Sequence, residues 1–271
     1  MVEGEPVVDT GKAVRMATIL RSDGRTFVGA LDVFIPRGLL PGLRDPVATA
    51  RLFVDAGADA LLIHEGLVEV CLPAFAGRAA LIIKLTTASA QAEDSTRRVQ
   101  VTSVRRAVAL GAAAVAVNCF LGVPYDGDLL AQLGRIADAC AAYGMPLIPL
   151  INPHPRDQFD ADRVAYVCRV GAELGGDLVK SDYPGSPEAF ALAVRTCPRP
   201  VIIEESPLPT TPEGTLQTVD GVLRAGGAGV MFANRIWDAP HPASLARSVA
   251  GMVHDAWTLE QALKNAREAG P

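Results

Sequence analysis

The sequence predicts a (β/α)8 barrel, and three observations carry that reading. Short apolar runs of strand length alternate with helical patterns along the chain. A recurring phrase, a glycine beside alanine or a second glycine, precedes several of those runs. The carboxyl end of each run meets a polar or ionisable residue, and barrels of this kind build their active sites at those ends.

The elements follow in order. Strand one is Phe27-Val28-Gly29-Ala30-Leu31-Asp32. A helix from Pro46 to Ala56 runs through Ala56-Gly57-Ala58-Asp59 into strand two, Ala60 to His64, and strand three is Ala80 to Lys84. A helix from Val101 to Leu110 meets Leu110-Gly111-Ala112 and then strand four, Ala114 to Asn118. A helix from Gly127 to Tyr143 precedes strand five, Pro146 to Asn152. A helix from Ala161 to Leu174 gives way, through Leu174-Gly175-Gly176-Asp177, to strand six, Leu178-Val179-Lys180. Strand seven, Pro200 to Glu204, follows a helix from Ser186 to Arg195. Strand eight, Ala228 to Phe232, follows a helix from Leu216 and the phrase Ala225-Gly226-Gly227. The tail from Trp257 to Glu268 reads as one more helix, capping the barrel or meeting another subunit, and residues 1–271 read as a single domain.

Physical reasons support the pattern. Glycine after a helix supplies the left-handed residue that ends it, so a strand begins at once. Near-continuous apolar strands require burial on both faces, as in a parallel sheet covered by helices. A doubly wound dinucleotide fold is the alternative, but no GxGxxG follows any strand.

Bulk properties narrow the class. Of 271 residues, 49% are hydrophobic and 20% charged, which suits a well-buried core. The net charge is -5, and Thr96-Arg97-Arg98 and Arg105-Arg106 are the largest basic clusters, which argues against nucleic acid. Five cysteines without CxxC spacing fit reduced thiols in a cytoplasmic protein. Met1-Val2-Glu3-Gly4-Glu5 lacks the features of a signal peptide, and no apolar run reaches the roughly 18 residues of a membrane span.

The strand ends in sequence are Asp32, His64, Lys84, Asn118, Asn152, Lys180, Glu204 or Glu205, and Asn234 with Arg235. Glu204 and Glu205 are adjacent on an extended segment, so only one is expected to point inward. Lys180 is the strongest candidate. Burial disfavours an ammonium, and a neutral amine there attacks a carbonyl to form a Schiff base. Lys84 is a second amine expected at the same pocket, holding Lys180 neutral by like charge or binding an anionic substrate group itself, the alternative being a strand-end lysine paired with Glu204 or Asp32. A hard-cation site from Asp32, His64, Glu204 and Asp182 is disfavoured, because two lysines oppose a cation. No metal or other cofactor is expected.

Gly11-Lys12 to Arg15, Asp23-Gly24-Arg25-Thr26 before Asp32, Pro41-Gly42-Leu43, Gly144-Met145-Pro146-Leu147, and Val179-Lys180 with Tyr183-Pro184-Gly185 form an ordered set. It resembles the DhnA-type class I aldolases, which include archaeal-type fructose-bisphosphate aldolases and 2-amino-3,7-dideoxy-D-threo-hept-6-ulosonate synthases. The resemblance implies a Schiff base on Lys180, proton transfer assisted by Asp32, phosphate held by Arg235, and a homo-oligomer. It also exposes departures. The Asp-His pair after strand one is Asp32-Val33, the strand-three histidine is Lys84, and the strand-five acid/base tyrosine is Asn152. The phosphate-cupping glycines after strand seven are Glu204-Glu205-Ser206-Pro207, and the strand-eight glycine is Ala233.

Asn152 cannot donate and recover a proton at neutral pH. Glu204 is the leading replacement, then His154 and Tyr183, with His64 a strand-end histidine at the substrate site. The expected activity is a metal-independent aldolase-type lyase or transferase acting on a small carbonyl substrate, with or without phosphate, in a specialised pathway. The alternatives are a barrel that lost aldol chemistry and binds or regulates, and a thiolase-like acyl transferase on the same fold.

Overall fold

The computed structural model describes residues 9–267. Eight parallel strands close a barrel: β1 (Thr26–Ala30), β2 (Ala60–Ile63), β3 (Ala80–Lys84), β4 (Ala114–Phe120), β5 (Leu147–Asn152), β6 (Val179–Ser181), β7 (Val201–Ile203) and β8 (Gly229–Phe232). Each strand pairs with its neighbours in sequence, and β1 closes against β8, with Val28 beside Ala60 on one side and Met231 on the other. Most strand residues are buried. That is why the runs are apolar without alternation.

Capping residues set the helices. Asp45, Ser103, Asp160, Ser186 and Thr211 each accept a backbone N–H from the first turn of the following helix. Proline follows Asp45, Ser186 and Thr211, at a position where its missing N–H costs nothing. The Thr211-Pro212 start places the helix before β8 at Pro212–Arg224, one turn earlier than its apolar pattern suggests. Gly57, Gly111, Gly175 and Gly226, the glycines of the recurring phrase, all have positive φ and end helices as expected.

Two elements close the amino end of the barrel. The helix Thr10–Met16 docks through Lys12 on Asp177 (2.8 Å) and Arg15 on the Gly144 carbonyl (3.0 Å). Beside it, His254 is held between Asp59 (2.8 Å) and Asp23 (2.9 Å). The last helix, Leu259–Arg267, does not cap the barrel. It packs on the outer wall against the helices Pro212–Arg224 and Pro242–His254. Glu268, included in that helix from sequence, lies outside the described residues. All five cysteines are buried and free, and no described helix is long and apolar enough to cross a membrane.

One departure shapes the site. The predicted helix from Val101 begins only at Val104, because the chain first makes an antiparallel ribbon in which Thr86–Thr87 pairs with Val99–Gln100. Residues 88–98 between those short strands project over the carboxyl end of the barrel. They are fastened there by Tyr125, whose hydroxyl reaches Asp94 and, at 2.5 Å, Thr96. Gln132 adds bonds to the Gln100 N–H (2.9 Å) and the Arg98 carbonyl (3.3 Å).

Candidate active site

A cavity of about 300 Å³ opens at the carboxyl end of the barrel. Of the sequence candidates, Asp32, Lys84, Asn152, Lys180 and Glu204 line it. Lys180 comes from the middle of β6 and is 3% exposed. Its ammonium meets Glu204 at 2.7 Å and Asp182 at 3.7 Å. Asp182 lies two residues past Lys180, so the alternation of an extended chain turns both side chains into the barrel. Asp182 is fully buried and is the acceptor for Asn152 Nδ2, Gln158 Nε2 (3.0 Å) and the Glu205 N–H (3.3 Å).

The electrostatics invert one expectation. Burial works against a charged Lys180, but the carboxylates of Glu204 and Asp182 outweigh it and raise its pKa well above the ordinary lysine value. Lys180 therefore rests as an ammonium. Lys84 is the amine pushed down: burial lowers its pKa more than its partner Asp32 restores. That partner, in direct contact with Lys84, is buried too, yet the adjacent ammonium keeps its carboxyl below the usual range. Burial raises the pKa of Asp182. The pocket thus contains an amine lowered toward the neutral form and a carboxyl raised toward it.

Glu204 and Glu205 both reach the cavity, contrary to the alternation argument, because β7 ends at Ile203 and both residues belong to the loop beyond it. Glu205 pairs with Arg37 at 3.1 Å.

Four candidates lie elsewhere. Arg235 is 3% exposed, and its two terminal nitrogens donate to three carbonyls, Ser206 (2.8 Å), Leu208 (3.1 Å) and Pro209 (3.2 Å), while its Nε, without a hydrogen bond, faces Glu205 at 3.9 Å, so it shapes the loop after β7 and does not line the cavity. Tyr183 points outward. Its ring packs on Phe190 at 5.7 Å, and its hydroxyl occupies the space a Cβ on Gly221 would take. His154 lines a separate outer cavity of about 340 Å³, its Nδ1 accepting the Arg156 N–H. His64 faces an apolar cavity of about 700 Å³ with Phe34, Ile35 and Leu39, and burial lowers its pKa.

Sequence reasoning missed Arg37, Arg98 and Gln158 as lining residues and read Asp182 only as a possible cation ligand. The two-residue spacing from Lys180 was the available signal for Asp182. Arg98 had none, since it arrives on the ribbon.

A closed parallel barrel that presents an amine from its sixth strand to a carboxylate-lined cavity has the architecture of an aldolase-type lyase. The chain belongs to the DeoC/LacD family of aldolases, whose sequence pattern matches residues 17–239. A 2-amino-4,5-dihydroxy-6-oxo-7-(phosphonooxy)heptanoate synthase of Streptomyces griseus is 31% identical over 257 residues, covering 93% of this chain and 94% of that protein. A 2-amino-3,7-dideoxy-D-threo-hept-6-ulosonate synthase of Archaeoglobus fulgidus is 28% identical over 256 residues, covering 94% and 95%. An archaeal fructose-1,6-bisphosphate aldolase, solved with its catalytic lysine covalently bound to the carbinolamine intermediate, superposes with a TM-score of 0.82. It is 29% identical, with 89% of this chain and 99% of that one covered.

Proposed function

We propose that this protein makes or breaks a carbon–carbon bond between two small carbonyl compounds through an imine on Lys180, and that it serves a biosynthetic route. The observation that carries the reading is the Lys180 ammonium set 2.7 Å from Glu204 at the inner end of the cavity. As a carbonyl enters, Lys180 passes a proton to Glu204 and its neutral amine attacks the carbonyl carbon. The carbinolamine oxygen then takes a proton from Glu204 and leaves as water, giving the iminium. Removal of a proton from the adjacent carbon yields an enamine, which attacks an aldehyde. Hydrolysis of the new imine restores the amine.

The missing tyrosine is replaced by carboxyl groups. Asp182, with its raised pKa, and Glu204 lie on one side of Lys180 chemistry, and Asn152 holds Asp182 in place without titrating. Lys84, lowered but still paired with Asp32, is suited to donate a proton to the alkoxide that forms on the aldehyde partner. The related synthases and aldolases whose names include phosphorylated compounds favour an anionic sugar-like substrate, and a homo-oligomer is the assembly we expect.

Borohydride trapping with a panel of aldehydes and ketones, followed by peptide mapping, tests the reading. An adduct on Lys180, absent in Lys180→Met, supports it. An adduct on Lys84 reverses the roles of the two amines. No adduct, under conditions that trap a control aldolase, rejects the imine.

A further inference from the structure

Eight charged side chains line the cavity: Asp32, Asp182, Glu204 and Glu205 against Arg37, Lys84, Arg98 and Lys180. Four ion pairs occupy seven of them, Lys84 with Asp32, Lys180 with Glu204 and with Asp182, and Arg37 with Glu205. Asp182 is satisfied by three hydrogen-bond donors. Arg98 is left over. Its guanidinium carbon lies 5.9 Å from the Phe120 ring centre, its Nε is buried without a hydrogen-bond partner, and no carboxylate among the described residues pairs with it. A buried, unpartnered guanidinium nitrogen is costly unless a ligand completes it.

The opposite side of the barrel is closed to an anion. Where the resemblance implies a glycine backbone cupping a phosphate, Glu204 and Glu205 bring negative charge, and Arg235 donates to three loop carbonyls with its Nε on Glu205 at 3.9 Å. An anionic substrate group is repelled there and, among the described residues lining the cavity, meets one cation without an ion pair.

We propose that Arg98, presented by the ribbon between Thr86–Thr87 and Val99–Gln100, is the recognition site for an anionic terminal group, carboxylate or phosphate, on a substrate carbonyl whose reactive carbon reaches Lys180. The proposal rests on the imine reading for the orientation of the substrate but not for the binding of the anion. The planar guanidinium favours two parallel N–H···O bonds to either oxyanion. The Tyr125 contacts to Asp94 and Thr96 hold the ribbon, and so Arg98, over the pocket.

The test compares half-saturation for borohydride trapping by dihydroxyacetone phosphate with dihydroxyacetone, and by succinate semialdehyde with butanal. Wild-type protein, Arg98→Met, Arg98→Lys and Arg235→Lys are measured. The expected result is that the preference for one charged member falls roughly tenfold to a hundredfold in Arg98→Met. Arg98→Lys restores part of it, and Arg235→Lys leaves it in place. Loss in the first pair assigns phosphate, and loss in the second assigns carboxylate. Calorimetric titration with inorganic phosphate and with acetate reads the anion site without imine chemistry. If nothing traps but either ion binds wild type and not Arg98→Met, the imine reading fails and the anion site stands. Equal ion binding by wild type and Arg98→Met, with unchanged preferences, overturns the proposal, as does a loss of preference confined to Arg235→Lys.

Discussion

Replacing Glu204 with glutamine removes the nearer of the two negative charges that keep Lys180 protonated. At 2.7 Å and an effective dielectric constant of about 20, its gross attraction is about 6 kcal/mol, against about 4–5 kcal/mol for Asp182 at 3.7 Å. The retained amide dipole and local relaxation offset more than half of the roughly 6 kcal/mol lost with Glu204, leaving about 2.7 kcal/mol, a displacement of about two pH units. The sign follows from the chemistry. Only the neutral amine attacks, so the rate of adduct formation rises with pH as Lys180 loses its proton. Wild type starts from a raised pKa, which puts that limb on the alkaline side. Glu204→Gln moves the limb toward acid. If Glu204 also relays the proton, the plateau falls by about 10²–10⁴ at the same time. The assay is the second-order rate of trapping with cyanoborohydride between pH 6 and 11, with the thermal midpoint followed in parallel. A limb that stays in place or moves toward alkali refutes the claim that Glu204 sets the protonation of Lys180.

Two further predictions concern the frame. His254 has its pKa raised because, although burial opposes the charge, hydrogen bonds to Asp59 and Asp23 favour the imidazolium. Its stabilisation is therefore complete below the unfolded value of about 6.5 and is lost as pH rises through the higher folded value. The melting-temperature gap between wild type and His254→Gln is expected to be wide at pH 5.5 and to narrow at pH 9, and a gap that widens with pH contradicts the pairing. Gly221→Ala places a Cβ 2.0 Å from the Tyr183 hydroxyl oxygen, an overpacking that costs about 1–3 kcal/mol. Tyr183→Phe leaves the ring carbon at 2.8 Å as the nearest atom, so the double variant recovers part of the loss, and strictly additive melting shifts place Tyr183 elsewhere.

The barrel was readable because its strands are buried on both faces. Runs such as Leu61 to Ile63 and Ile82 to Ile83 leave no room for a polar alternation, and the positive-φ glycines mark where helices stop. Lys180, Asp32, Lys84, Glu204 and Asn152 were readable for a related reason, since a polar residue ending an apolar strand stands at the mouth of the barrel. The same rule misplaced His64 and Arg235, because it fixes a residue's height along the axis and says nothing of the direction its side chain takes; Tyr183, a candidate from the loop after strand six, turned outward for the same reason. Glu205 failed by one residue: the strand ended before the alternation argument assumed. The ribbon was invisible because its paired segments are only two residues long, too short for any period to register. Arg98 therefore looked like half of an Arg97-Arg98 pair until the fold brought it into the cavity that Lys180 and Glu204 line.

The departures from the family pattern make sense as one exchange. A glycine cradle beside a free arginine binds phosphate, but it leaves the lysine without a neighbouring base when strand five also lacks its tyrosine. In the proposed mechanism Glu204 in that loop serves as the base, at 2.7 Å from the amine, and its charge repels an anion from the position where the resemblance implies a phosphate. Asp182 lies 3.7 Å from the lysine on the mouth side, held by Asn152, which stands where the resemblance implies a tyrosine. On the opposite wall, Lys84 fills the place of a histidine and takes Asp32 as its counterion. Lys84 and Glu204 each meet an opposite charge, which leaves Arg98, among the described residues lining the cavity, as the cation without an ion pair. A site that kept only the barrel and shed its chemistry has no physical reason to hold two buried amines each matched to a carboxylate, since such pairs often cost more in desolvation than they return.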